Sequence, residues 1–212
     1  MKSLRSMLYL VVLGALLSVP ALGVAPAAAQ GHNPDSIIRW CEDWPTYIDP
    51  AVGTDFSDSM ALVNLYDTLV FPTLDGSIRP HLAESWDVSE DGLTYTFHLR
   101  QGVKFHNGDE LTAEDVAFTA DRLFDIGEGF AYLLRTKDKD GNVIAGIKSA
   151  KAVDDYTVEF ALARPFGPFV PALVRLYIVN KSQVLEHIDK SDTMYGEMGD
   201  YGKKWLLTND AG

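Results

Sequence analysis

The sequence predicts a mixed α/β (α+β) fold of short strands and helices, and three features carry that prediction. Residues 93–100 alternate apolar and polar side chains, a pattern typical of a half-buried antiparallel strand. A helix-start signal follows at Thr112 and Asp115, and a second alternating hairpin spans residues 143–162. Hairpins separated by an amphipathic helix indicate sheet and helix packed together, which disfavours all-helical and all-β folds.

Composition and charge exclude several classes of protein. The 212 residues are 47% hydrophobic and 23% charged, as in ordinary globular proteins and unlike a disordered tail. With 18 basic and 30 acidic residues the formal net charge is −12, which disfavours nucleic acid as a partner because phosphate binding needs clustered Lys and Arg. A disulfide scaffold is excluded, since Cys41 is the only cysteine.

Residues 1–29 predict a secretory signal peptide. Lys2 and Arg5 form a positive start, residues 7–17 are an apolar run, and three alanines ending at Ala29 form a small-residue cleavage pattern. The apolar run is about half of the roughly 20 residues that a membrane span needs. We therefore expect cleavage after Ala29 and a periplasmic protein.

Cys41 leaves one alternative open, because bacterial lipoproteins carry lipid on a cysteine that directly follows the apolar run. Here Cys41 lies well past the alanines and follows Arg39 and Trp40 rather than small residues. A soluble protein is favoured, in which Cys41 is a small buried apolar residue at the end of a strand over residues 37–40.

The next elements are a helix and a short strand. Ser57 or Asp58 is expected to cap the helix, and residues 69–71 form the strand. The apolar positions of the helix are Met60, Val63, Leu65 and Tyr66.

Both hairpins and the helix between them indicate which side chains face the core. The first hairpin pairs residues 85–88 with 93–100, and the second turns at Asp154 and Asp155. The predicted core side chains are Leu93, Tyr95, Phe97 and Leu99 in the first hairpin, Val116, Phe118, Leu123 and Phe124 in the helix, and Val158, Phe160 and Leu162 in the second hairpin.

The C-terminal part is less regular. Residues 166–179 are expected to hold one short helix and a strand, and Ser182 is expected to cap a further helix. Residues 191–212 are glycine-rich and predict loops, with Trp205 and Leu206 as their strong apolar anchors.

No catalytic or metal-binding constellation stands out. The five histidines show no metal-ligand spacing, and there is no nucleophile elbow or phosphate-binding loop. Residues 138–142 are similar to a calcium loop, but their glycine is in the fourth place rather than the sixth, so a hairpin turn is favoured. We therefore predict a protein that is not an enzyme and needs no metal or cofactor.

An ordered series of motifs resembles a known family. It consists of Ala83–Trp86, Asp91–Arg100, Gly102–Gly108 and Leu111–Val116. The series is similar to the signature of the family 5 extracytoplasmic solute-binding proteins, which serve ABC importers of dipeptides, oligopeptides, nickel complexes and some sugars. Asn107 departs from the pattern, because the family usually has an acid there.

The resemblance implies a two-lobed periplasmic binding protein fold with an extra small domain. This chain is expected to be an N-terminal fragment of that fold, either because the sequence is a piece of a longer protein or because the gene is truncated. Residues 30–70 would begin lobe I, 71–180 form the smaller domain, and 181–212 return to lobe I. The implied function is to capture peptides or a similar small solute in the interlobe cleft and deliver them to ABC permease subunits. A monomer is expected.

The resemblance also implies a ligand site in residues 51–56, the loop that would run beside the bound peptide. Thr54 and Asp55 would contribute polar contacts and Phe56 an apolar wall; the alternative is a surface loop with Phe56 in the core. A second class of function stays open, namely a secreted hydrolase or structural envelope protein that shares only the hairpin. The ordered series over residues 83–118 favours the solute-binding protein.

Overall fold

The computed structural model describes residues 44–212, so the predicted leader, the strand over 37–40 and Cys41 lie outside the described residues. In order, the described elements are α1 (Phe56–Leu65), β1 (Val70–Pro72), β2 (Ile78–Pro80), β3 (Ala83–Val88), β4 (Thr94–Leu99), α2 (Ala113–Ile126), α3 (Ala131–Leu134), β5 (Arg135–Lys137), β6 (Val143–Asp154), β7 (Thr157–Leu162), α4 (Phe169–Ala172) and α5 (Lys181–Glu186). Among these helices none is both long and apolar enough to cross a bilayer.

The strands form two antiparallel sheets. β1 pairs with β2, and five strands form a larger sheet in the order β3-β4-β7-β6-β5. The two predicted hairpins are confirmed, and they join through β4 and β7, where Phe97 stands opposite Val158. Joining the hairpins in this way places their alternating apolar faces on one side of a single sheet.

The core lies between this sheet, α2 and the short helix α4. Phe97 and Phe160 are fully buried and meet edge to face with ring centroids 5.7 Å apart. Phe169 of α4 packs on both rings, at 6.4 and 5.8 Å. Such tilted aromatic pairs add to the free energy of burial, so α4 closes the core although it is only one turn long.

Helix α2 begins and ends as its sequence predicts. The capping box of Thr112 and Asp115 is present, and the helix stops at Gly127, whose φ of 70° is left-handed. Its predicted buried face is confirmed for Val116, Phe118, Leu123 and Phe124. The same face also buries Arg122, which the sequence analysis does not single out.

The predicted caps of the other two helices are wrong by two or three residues. α1 is capped by Asp55, whose carboxylate accepts the Asp58 N–H at 2.7 Å, and not by Ser57 or Asp58. α5 is capped by Asn180, whose side-chain oxygen accepts the Gln183 N–H at 2.9 Å, and not by Ser182. In both cases more than one cap-forming residue stands near the start of the helix, and the path of the incoming chain decides between them.

The predicted buried face of α1 is also partly wrong. Leu62 is fully buried, whereas Met60 and Val63 are 45% and 41% exposed. Tyr66, at the end of the helix, is buried as predicted.

The C-terminal part follows the prediction more loosely. The short helix α4 is confirmed, but the expected strand is reduced to one bridge between Tyr177 and Thr68. Residues 191–212 are loops with two short 3₁₀ turns, and Leu206 is the fully buried anchor.

Candidate functional site

The predicted site loop is organised by the carboxylate of Asp55. Besides capping α1, its Oδ1 accepts the Ser57 hydroxyl at 2.9 Å, and its Oδ2 accepts the Thr46 hydroxyl at 3.4 Å. These bonds, with the Asp58 backbone bond first, hold the pKa of Asp55 below its ordinary value. The side chain is therefore charged at neutral pH and already committed to the fold.

A second carboxylate closes the loop from the inside. Asp58 is 1% exposed, and its two oxygens accept the Tyr47 N–H at 2.8 Å and the Thr54 N–H at 3.1 Å. A Cβ on Gly53 would lie 3.1 Å from both the Tyr47 carbonyl oxygen and the Asp58 Cβ, so glycine fits the loop closely there. The main chain around Thr54 is thus held in place by partly buried hydrogen bonds to Asp58.

A buried ion pair anchors this region to α2. Arg122 donates from both terminal nitrogens to the two oxygens of Asp49, at 2.7 and 2.6 Å, and both side chains are 2% exposed. The Arg122 Nε donates to the Tyr201 carbonyl at 2.9 Å, and Asp49 also accepts the Ala51 N–H. The two charges are thus paired and hydrogen-bonded, as buried charges must be.

Sequence reasoning missed this pair. Asp49 stands in an Ile48–Asp49–Pro50 run, and an arginine on the otherwise apolar face of an amphipathic helix was the signal that it needs a buried acid. The sequence did not indicate which of the 30 acidic residues would be that partner.

The structure places Thr54, Asp55 and Phe56 on the surface. All three are exposed, Phe56 by 69%, so the alternative with Phe56 in the core is wrong. Phe56 lines a cavity. The structure therefore brings the apolar side chain of this loop to the edge of a concave surface.

That cavity is an open groove of about 360 Å³, which we call the α1 groove. Its remaining walls come from α1, the β1 region and the turn after α4. They are formed by Ser59, Met60, Val63, Tyr66, Thr68, Phe71, Pro72, Val174, Arg175 and Tyr177. The volume is within the range of small-molecule sites, roughly 300–1,000 Å³.

A second cavity, of about 260 Å³, lies beside the Asp49 region and has Lys203 and Lys204 in its wall. Both ammonium groups already have partners, because Lys203 pairs with Glu128 at 2.9 Å and Lys204 pairs with Asp189. We therefore regard the α1 groove as the better candidate site.

Metal-ligand geometry is missing from the part of the chain that the structure describes, since no three His, Cys, Asp or Glu side chains there are grouped to hold an ion. Residues 138–142 form the predicted hairpin turn. The Asp138 carboxylate stabilises it by accepting hydrogen bonds from the Asp140 and Asn142 N–H groups.

Residues 77–204 match the model of the bacterial extracellular solute-binding proteins, family 5, middle part. The chain belongs to this family. The mixed α/β fold of periplasmic binding proteins, which the sequence predicts, is thereby confirmed.

The chain is 38% identical over 165 residues to di/tripeptide-binding protein 1 of Pseudomonas aeruginosa, covering 72% of this chain and 30% of that protein. It is similar in structure to the periplasmic binding protein DppA of Helicobacter pylori in complex with the peptide STSA, with a TM-score of 0.56 and 32% identity over 74% of this chain and 33% of that one.

Not every relative is named for a peptide. Heme-binding protein A of Haemophilus influenzae is 36% identical over 167 residues, covering 70% of this chain and 29% of that protein. The chain thus spans about a third of the length of the proteins that it matches.

Proposed function

We propose that the protein is the solute-binding component of an ABC importer and that it binds peptides in the periplasm. The observation that carries the proposal is the family match over residues 77–204, joined to relatives named for dipeptides and tripeptides. In this role the protein binds its solute in a cleft between two lobes, as a monomer, and delivers it to permease subunits. It catalyses no reaction, and the leader that ends at Ala29 exports it.

Isothermal titration calorimetry tests the proposal on the protein in the longest form that its gene encodes, with the leader removed. The peptide ligands are Ala-Leu, Ala-Ala-Leu and Ala-Ala-Ala-Leu. Heme is titrated separately as the alternative ligand, because one relative is named for it. We expect saturable binding of at least one peptide. Binding of heme and no peptide would replace the peptide assignment, and binding of neither would contradict the proposed role.

The same titration distinguishes a binder from the hydrolase alternative. Mass spectrometry of the solution in the calorimeter cell should detect the peptide intact after many hours. Cleaved peptide would support a hydrolase and contradict the binding role.

The loop of Thr54, Asp55 and Phe56 is our proposed contact with the bound peptide. Asp58 accepts the Thr54 N–H and so fixes the position of this loop, and a loop in a fixed position suits a peptide contact that tolerates many side chains. Phe56 adds an exposed apolar surface at the edge of the α1 groove.

Variants of this loop must keep α1 capped. We expect Phe56→Ala to weaken peptide binding about tenfold or more, because a bound peptide would bury this ring. Asp55→Ser retains a capping side chain while removing the charge, so it separates ligand contact from helix stability. Tyr132→Ala is the matched control, because Tyr132 is an aromatic residue of similar exposure, 67%, away from the groove. If Phe56→Ala, Asp55→Ser and Thr54→Ala all bind as tightly as the parent, the loop is not part of the site.

A further inference from the structure

Methionine side chains line both the α1 groove and the second cavity. Met60 of α1 is in the wall of the groove and is 45% exposed, and Met194 is in the wall of the second cavity and is 70% exposed. Met198, the third methionine within residues 44–212, is half-buried and packs against the core. The thioether of Met60 is therefore accessible to a small solute molecule, although the helical pattern predicted a buried position.

Met60 is in the middle of an apolar strip along the outer face of α1. Phe56 precedes it by four residues and Val63 follows it by three, and all three side chains are exposed. Residues three and four apart share one face of a helix, so these side chains lie in a row. All three line the α1 groove. A change in the polarity of Met60 therefore changes the centre of an apolar wall.

Oxidation to the sulfoxide is the reaction that an accessible thioether undergoes most readily. A lone pair of the sulfur attacks one oxygen of hydrogen peroxide, the O–O bond breaks, and the products are methionine sulfoxide and water. The sulfur loses two electrons and the peroxide gains them. The side chain changes from apolar to polar, and methionine sulfoxide reductases can reverse the change with a dithiol as the electron donor.

We propose that Met60 is an oxidation site that regulates ligand binding in the α1 groove: a peroxide converts its thioether to the sulfoxide, and the groove then binds apolar side chains of peptides less tightly. This inference rests on the proposed peptide-binding function and adds a form of regulation to it. Binding weakens because an apolar side chain that covers the sulfoxide removes water from its oxygen without donating a hydrogen bond in return. A bound peptide should also slow the oxidation of Met60, because it covers the thioether.

The test uses the longest encoded form without its leader, which is treated with hydrogen peroxide and then desalted. Peptide mapping by mass spectrometry measures the sulfoxide at each methionine, and calorimetry with Ala-Leu and Ala-Ala-Leu measures binding. We expect Met60 and Met194 to be oxidised before Met198, and the oxidised parent to bind peptide about tenfold more weakly. Saturating peptide during the treatment should slow oxidation of Met60 and leave that of Met194 unchanged.

Three variants separate Met60 from other oxidised groups. Met60→Leu keeps an apolar side chain of similar volume, so it should bind as the parent does and should keep that affinity after treatment. Met194→Leu removes the more exposed thioether, which is outside the α1 groove, and should lose affinity on oxidation as the parent does. Met60→Gln places a polar side chain in the groove without any oxidant and should bind about tenfold more weakly than the untreated parent.

Reversal distinguishes the sulfoxide from other oxidative damage. Methionine sulfoxide reductases A and B with dithiothreitol should restore the affinity of the oxidised parent, whereas dithiothreitol alone should not. The second arm controls for Cys41, because a dithiol by itself reduces a disulfide or a sulfenic acid but leaves methionine sulfoxide unchanged.

If the untreated parent binds no peptide, the proposed function fails and this inference fails with it. If it does bind peptide, the role of Met60 is overturned by any of four results, and peptide binding stands in each case. These results are no sulfoxide at Met60 when Met194 is oxidised, unchanged affinity with Met60 oxidised, an equal loss of affinity in Met60→Leu, and restoration by dithiothreitol alone. Parent-like affinity of untreated Met60→Gln, or resistance of Met194→Leu to oxidation, would overturn it as well.

Discussion

Among single residues, Arg122 connects distant parts of the described chain through buried contacts. Its partner Asp49 is 73 residues away in sequence, and the Tyr201 carbonyl that it also binds is 79 residues away. The pair therefore holds the segment before α1 and the C-terminal loops against the same helix.

Removing one partner of this pair should be costly. In Arg122→Met the Asp49 carboxylate stays buried without its counter-ion, so we expect the free energy of unfolding to fall by about 3–5 kcal/mol. Glu128→Gln breaks the exposed Lys203–Glu128 pair and should cost about 1 kcal/mol or less. Urea denaturation measures both. Similar losses for the two variants would contradict the anchoring role.

A titrating residue in the β1–β2 turn offers a test at low pH. Asp75 accepts hydrogen bonds from the Thr73 hydroxyl and from the hydroxyl and N–H of Ser77, and these lower its pKa from 3.8 to about 2. The bonds favour the charged form in the folded state, so their stabilisation is present above about pH 4 and is lost as the pH falls through about 2.

The carboxyl carbon shift of Asp75, followed by NMR between pH 5 and 1.5, should report this low pKa. Between pH 5 and 1.5 the thermal unfolding midpoint of Asp75→Asn should decrease less than the midpoint of the parent, because the variant has no carboxylate to protonate at this position. An Asp75 pKa near 3.8 would show that the turn does not hold the carboxylate in this way.

Among the elements, the pairing of β5 with β6 depends on one glycine. Gly146 pairs with Arg135 and has a φ of 78°, and a Cβ there would lie 2.0 Å from the Leu134 carbonyl oxygen. No side chain fits at that distance, so the end of α3 and the start of β5 can approach β6 only at a glycine.

We expect Gly146→Ala to lower the free energy of unfolding by more than the roughly 1–2 kcal/mol that a left-handed backbone costs an L-residue. Gly141→Ala is the matched control, because Gly141 has a similar φ of 87° and nothing within 4 Å of a Cβ. The difference between the two variants measures the clash alone. Equal losses in thermal or urea unfolding would mean that the two chain segments do not approach so closely.

For the whole molecule, residues 1–29 predict export. Cleavage after Ala29 would remove Lys2 and Arg5, leaving a mature protein of formal charge −14 that begins at Gln30. Amino-terminal sequencing of protein recovered from the periplasm should give Gln30. A mature chain that begins at lipid-modified Cys41 would overturn the soluble assignment.

The domain division at residues 70 and 180 also stays a prediction. Within residues 44–212, buried side chains from α1, both sheets, α2 and α4 belong to one contiguous core. Hydrogen exchange on the longest encoded form would show whether residues 71–180 open as a separate unit.

The sequence by itself determined the two hairpins, the capping box of α2 and most of the core. The reason is that these signals act over short distances: alternation placed Phe97 and Phe160 on a buried face, and Thr112 needs only Asp115, three residues on. The motif series over residues 83–118 also indicated the family, and the family match over residues 77–204 includes it.

Only the tertiary structure decided which residues surround the candidate site. The partner of Arg122, the choice of Asp55 as a cap and the exposure of Phe56 depend on where distant segments meet, which no local pattern records. Arg175 is an example: in sequence it is one arginine in an apolar stretch, and its position in the α1 groove arises because the turn after α4 packs beside α1 and β1. Burial and charge pairing are properties of that packing, and so they appear only once the chain is folded.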